Sequence, residues 1–231
     1  MLPAAAGGGA MFVGKLADAP KGGAVKVPVV VFLHGSSGLA LAAIGEWQKW
    51  LAGMGIASVA PNSFTLPDRV TYKSPIDKAS YEKINQLRGS EIAPTLDALK
   101  AYAWADASQF LLAGTSEGAV SVARYKGNEF AARMLYAWSC ETNYFVMQPE
   151  NAFELNKPVL NIISASDPFF SSSNPFLGSP AAKGHCDALK NNPQAAVVLI
   201  PDAPHTLLNF PAARHATAGF LNQVLGQTKG K

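Results

Sequence analysis

Charge of one sign is what this chain most lacks. Nineteen Lys and Arg stand against sixteen Asp and Glu in 231 residues, a formal excess of +3 with no basic cluster. So even a balance gives no electrostatic reason to expect nucleic acid or a membrane surface as a partner. Cysteine is scarce too, with only Cys140 and Cys186. No CxxC, HExxH or closely spaced His/Cys set occurs, so no dedicated metal site is expected. Two buried free thiols and one disulfide in an oxidising compartment both fit the two cysteines. No apolar run reaches the ~18 residues of a membrane span. The opening MLPAAAGGGAMF lacks the basic-then-apolar order of a secretion signal. It reads as a flexible leader over 1–22, which also fits the remnant of a removed signal behind an added Met. The compartment is left open between cytoplasmic and periplasmic or secreted, and so is the oligomeric state.

What is present is apolar material. Hydrophobic residues make up 48% of the chain, enough for one sizeable core. VKVPVVVFLHG (25–35) is a β-branched run that reads as a buried strand. A helical spacing follows, with Leu41, Ile44, Trp47 and Leu51 on one side. IASVAP (56–61) is a short strand, and 62–75 is loop. Helical patterning runs from Ile76 to Tyr102 with a break expected near Pro94. Strands are then expected at 108–113, within 130–139, at 158–164 and over AAVVLIP (195–201), and helices at 117–125, 181–191 and 211–225. Continuous apolar strands alternating with helices predict a single α/β domain over 23–231: a mostly parallel, doubly wound sheet with helices on both faces and no large lid.

LLAGTSEGAV (111–120) raises the chemical question. Ser116 lies between Gly114 and Gly118, after a strand and before a helix. A serine hydroxyl is a weak nucleophile that needs a neighbouring base, and its attack needs donors for the oxyanion formed. Flanking glycines permit the sharp turn that lifts a serine above a sheet. That turn predicts an acid and then a histidine, each after a later strand. Asp167 follows the strand at 158–164, and His205 follows the last strand. Ser116, His205 and Asp167 are therefore the candidate nucleophile, base and orienting acid. Glu141, also after a strand, is a second acid to weigh. The backbone N–H groups of Glu117 and Ser36 are the candidate oxyanion donors. The Glu117 side chain has an ordinary explanation in the helix dipole, and His34 is expected to hold loop backbone.

HGSSG, GTSEG, SASDPF and DAPHTL, in this order, resemble the α/β-hydrolase superfamily. The short length, the lack of a large insertion after 130–139 and the PNSF…R stretch are most similar to the dienelactone hydrolase family. The resemblance spans about Val25 to the C-terminal helix. It implies hydrolysis of small-molecule esters or lactones without a cofactor. Best-known members use a cysteine where this chain has Ser116, which shifts the expectation to a serine esterase. They also anchor a substrate carboxylate with two arginines. Arg69 is a shifted match to one, and Leu207, Leu208 and Asn209 stand where the other is expected. Phe64, Arg69, Tyr72, Tyr144 and Phe169, with Phe145 and Phe170, are candidate substrate-pocket residues. A peptidase or thioesterase on the same triad, or a silent binding module on the same fold, are the competing readings.

Overall fold

The computed structural model describes residues 1–23, 25–172, 174 and 182–228. Six strands form one sheet: β1 (Val27–Leu33), β2 (Ala57–Val59), β3 (Ala105–Thr115), β4 (Ala132–Tyr136), β5 (Val159–Ser164) and β6 (Ala195–Ile200). Their order is β2-β1-β3-β4-β5-β6, and every neighbouring pair is parallel. Alternation along β1 shows why both faces must be covered. Val29, Val31 and Leu33 enter one core while Val30 and Phe32 enter the other, all with no exposed surface.

Helices α2 (Lys78–Ser90), α3 (Ile92–Leu99) and α4 (Glu117–Arg124) cover the first face. Helices α1 (Ala42–Gly53) and α5 (Pro211–Thr228) cover the second. Asp77 caps α2 by accepting from the Ser80 N–H at 2.9 Å. The long helical pattern breaks at Glu91 rather than at Pro94. Pro94 falls in the first turn of α3, where its missing N–H has no helical acceptor to lose.

Two expectations give way. Residues 1–22 were expected to form a flexible leader, yet they are laid against the domain. Leu2 and Ala6 are buried, Leu2 and Phe12 exchange backbone hydrogen bonds, and the Trp104 indole donates to the Pro20 carbonyl at 2.7 Å. The helix expected over 181–191 is only a single 3-10 turn, Asp187–Leu189, and Ala181 lies outside the described residues. Gly184 has φ 72°, which no helix tolerates, and Cys186 is tied elsewhere. Its sulfur is bonded to Cys140, and its N–H donates to the Asn161 side chain. The open cysteine question thus resolves as a disulfide. Among the described residues no helix is long and apolar enough to cross a membrane.

Strand order reverses at β1, with β2 on one side and β3 on the other. Loops leaving the carboxyl ends of β1 and β3 diverge there and open a crevice, the usual ligand position in such sheets.

Candidate active site

β3 ends at Thr115 and α4 begins at Glu117, so Ser116 alone makes the turn. Its backbone sits at φ 54°, ψ −120°, a region that costs a non-glycine residue about 1–3 kcal/mol. Two hydrogen bonds over-determine it: Ser116 N–H to the Tyr136 carbonyl at 2.9 Å, and Ala119 N–H to the Ser116 carbonyl at 3.0 Å. The glycines are there for space. A Cβ on Gly114 would lie 2.7 Å from the Gly118 backbone, and one on Gly118 would lie 2.2 Å from the Leu33 carbonyl oxygen. The first turn of α4 rests directly on the end of β1.

The hydroxyl raised by this turn meets the two later strand ends. His205 Nε2 is 2.9 Å from Ser116 Oγ, and His205 Nδ1 is 2.7 Å from Asp167 Oδ2. Asp167 is fully buried, and its Oδ1 accepts the N–H groups of Phe169 and Phe170, each at 2.9 Å. The imidazole packs edge-on against Phe169, with ring centroids 4.6 Å apart. Glu141 is not part of this line. Its carboxylate accepts from the backbone N–H groups of Lys183 and Gly184 at 2.7 and 3.0 Å. A hydroxyl, an imidazole and a buried carboxylate in line can move a proton off the serine and hold the resulting cation.

A cleft of about 300 Å³ lies over Ser116 and His205. Ser36, Tyr72, Tyr144, Phe145, Phe169 and Phe170 line it, together with Gly35 and Gly38. Phe64 and Arg69 do not line it. Phe64 stacks on the His34 ring, and the Arg69 guanidinium lies 4.6 Å from the Phe64 ring centre with its side chain buried. As the first helical residue, Glu117 has a backbone N–H with no intrahelical acceptor.

Below the turn lies a charged cluster that the sequence reading did not assemble. The Glu117 side chain has no exposed surface. It accepts from Arg69 Nη2 at 2.9 and 3.1 Å, from Tyr72 Oη at 2.6 Å and from Arg88 Nη1 at 3.4 Å. Arg88 Nε lies 3.1 Å from Glu91, whose carboxyl burial pushes up to about 7. Burial and the neighbouring Glu117 raise the Tyr72 hydroxyl far above its ordinary range, so it stays a donor. Burial, aided by Arg88, lowers His34 to about 3 and keeps its ring neutral. One signal for this cluster was legible. Arg88 recurs in register with Tyr81, Ile84 and Asn85, on the buried side of α2. Among the described residues, no group of three His, Cys, Asp or Glu side chains is placed to hold a metal ion.

No family model and no curated protein matches this sequence. Solved structures do match. Esterase PE8 superposes with TM-score 0.56 at 19% identity, over 87% of this chain and 94% of that one. A dienelactone hydrolase-like promiscuous phosphotriesterase from metagenomic libraries gives 0.58 at 18%, over 88% and 87%. A lidless α/β serine hydrolase from Xanthomonas campestris gives 0.52 at 18%, over 88% and 84%. Likeness at such identities is likeness of fold.

Proposed function

We propose that this chain, whose fold is that of the α/β hydrolases, is a serine hydrolase that cleaves small-molecule carboxylic esters or lactones. The observation that carries the reading is the continuous line from Asp167 through His205 to Ser116 Oγ, at 2.7 and 2.9 Å, at the floor of an open cleft. Ser116 Oγ attacks the acyl carbon while His205 Nε2 takes its proton. The C–O bond to the alcohol breaks, and the leaving oxygen takes that proton from Nε2. Water then attacks the acyl-enzyme, again through His205, and releases acid and free serine. Asp167 holds the Nδ1–H tautomer and stabilises the imidazolium. The N–H groups of Ser36 and Glu117 receive the oxyanion.

Tyr72, Tyr144 and Phe169 give the cleft an aromatic wall suited to a neutral acyl or aryl group. A dienelactone acid fits less well. Arg69, the arginine that the family resemblance offers for its carboxylate, lies outside the cleft lining and is held by Glu117, and Leu207 and Leu208 are buried. The named activities of the esterase and serine hydrolase of like fold agree with ester chemistry.

Labelling with a fluorophosphonate probe, read by intact mass and peptide mapping, tests the reading. It requires a single adduct on Ser116 that disappears in Ser116→Ala. Folded protein that takes no adduct and turns over no p-nitrophenyl ester overturns it.

A further inference from the structure

The charged cluster under the cleft has a direction. Arginine side chains can only donate hydrogen bonds, and a serine hydroxyl has two lone pairs and one proton. Arg69 Nε and Arg88 Nη1 both donate to Ser63 Oγ, each at 3.1 Å. With both lone pairs taken, the Ser63 proton has one acceptor left, His34 Nε2 at 3.0 Å. The Ser63 backbone N–H points at the same nitrogen from 3.2 Å. Nε2 is therefore an acceptor, and the single proton of the neutral ring sits on Nδ1. Arg88 Nη1 also lies 3.0 and 3.2 Å from the two ring nitrogens. A point almost equidistant from both is in line with neither lone pair, so this contact does not compete for the acceptor. Nδ1–H then donates to the Gly35 carbonyl oxygen at 2.6 Å.

Gly35 C=O and Ser36 N–H belong to one planar trans peptide group, so fixing the oxygen fixes the opposite N–H. We infer that Ser63 and His34 are positioning residues. The Gly35 oxygen also accepts the Gly38 N–H at 3.1 Å, longer than the 2.6 Å contact to His34. A one-way hydrogen-bond chain from two buried arginines through Ser63 and His34 adds to that turn and fixes the tilt of the Gly35–Ser36 peptide, and with it one oxyanion donor. The same arginines are held by Glu117, whose own N–H is the other proposed donor. The cluster thus ties both donors to one rigid body. This inference rests on the hydrolase reading above.

The test has two parts, and the first needs no activity. Long-range ¹H–¹⁵N correlation of the uniformly labelled protein reads each histidine ring, with His34 assigned by its loss in His34→Gln. The expected pattern is a proton on Nδ1 and a bare Nε2, unchanged from about pH 5 to 9. A proton on Nε2, or titration within that window, overturns the chain. The second part compares Ser63→Ala and Ser63→Thr on p-nitrophenyl butyrate and an aryl trifluoromethyl ketone, which forms the tetrahedral oxyanion with serine. Full loss of an oxyanion donor lowers kcat by ~10²–10³. Ser63→Ala leaves the donor present but unaligned, so kcat should fall at least ~10-fold with KM within ~2-fold. Ketone affinity should fall by the same factor, and Ser63→Thr should restore both. Wild-type kcat and ketone affinity in Ser63→Ala overturn the proposal, as does an equal loss in Ser63→Thr. A wild type that neither hydrolyses esters nor takes the fluorophosphonate label would sink the hydrolase reading instead, and the ring measurement would still decide the chain.

Discussion

Asp167 meets His205 through one oxygen only. Oδ2 lies 2.7 Å from Nδ1, while Oδ1 is occupied by the N–H groups of Phe169 and Phe170. The carboxylate is thus fixed by its own loop, independently of the imidazole it faces.

Asp167→Asn should exploit that division. The amide oxygen keeps the two backbone donors, and the amide NH₂ then faces Nδ1. The ring must accept there and carry its proton on Nε2, where it cannot take one from Ser116. We expect kcat for p-nitrophenyl esters to fall by ~10³–10⁴, with unfolding little changed. Steady-state kinetics beside thermal unfolding decide it, and a loss below tenfold would place the orienting role elsewhere.

Much of this was legible in the sequence because the signals were local. Gly114, Ser116 and Gly118 stand between an apolar run and a small-residue helix, and Asp167 and His205 each follow an apolar run. A parallel sheet brings such strand ends together. Glu117 shows the limit. Its local setting, the first turn of a helix, has a sufficient local explanation, while its partners lie 29 to 48 residues away. Arg69 looked like a substrate anchor for the same reason, since nothing nearby in sequence shows the buried acid that claims it. The Cys140–Cys186 pairing spans 46 residues, and only the folded loops bring the two together.

Stability should depend on pH through Glu91. Its carboxyl is raised from 4.5 to about 7 by burial, against the pull of Arg88. The folded protein therefore keeps a proton that the unfolded chain releases. This contribution is full below the unfolded value and is lost as pH rises through 7. Between about pH 5 and 8 the wild type should lose about 2 kcal/mol more than Glu91→Gln. Urea unfolding of both proteins across that window measures the difference. Parallel curves would show that Glu91 is ionised throughout.

Glycine replacements should divide by position. Gly118→Ala drives a methyl group into the Leu33 carbonyl, 2.2 Å away, and should destabilise by about 3 kcal/mol or more. Gly45→Ala, inside α1 with nothing within 4 Å, should stabilise by about 0.5–1 kcal/mol. Melting temperatures moving in the same direction would refute the steric account of the Gly118 position.

Reduction of Cys140–Cys186 should lower stability by about 2–4 kcal/mol, as expected for a cross-link closing a loop of 46 residues. Denaturant titrations with and without reductant read the difference. Iodoacetamide uptake by the unfolded protein before any reductant is added would contradict the bond.

Phe170 has a consequence for anyone wishing to redesign the cleft. Its backbone N–H holds Asp167, and its ring packs on Trp138, Tyr144, Phe145 and His205. Under the proposed hydrolase reading, breadth of substrate and speed of turnover are mechanically coupled on this side of the cleft. A mutation that makes room for a larger guest also loosens the bracket under the acid. Leu41 and Lys73, on the remaining rim, carry no such second duty in the triad. Remodelling for a new ester should begin there, and the aromatic wall should be inherited intact.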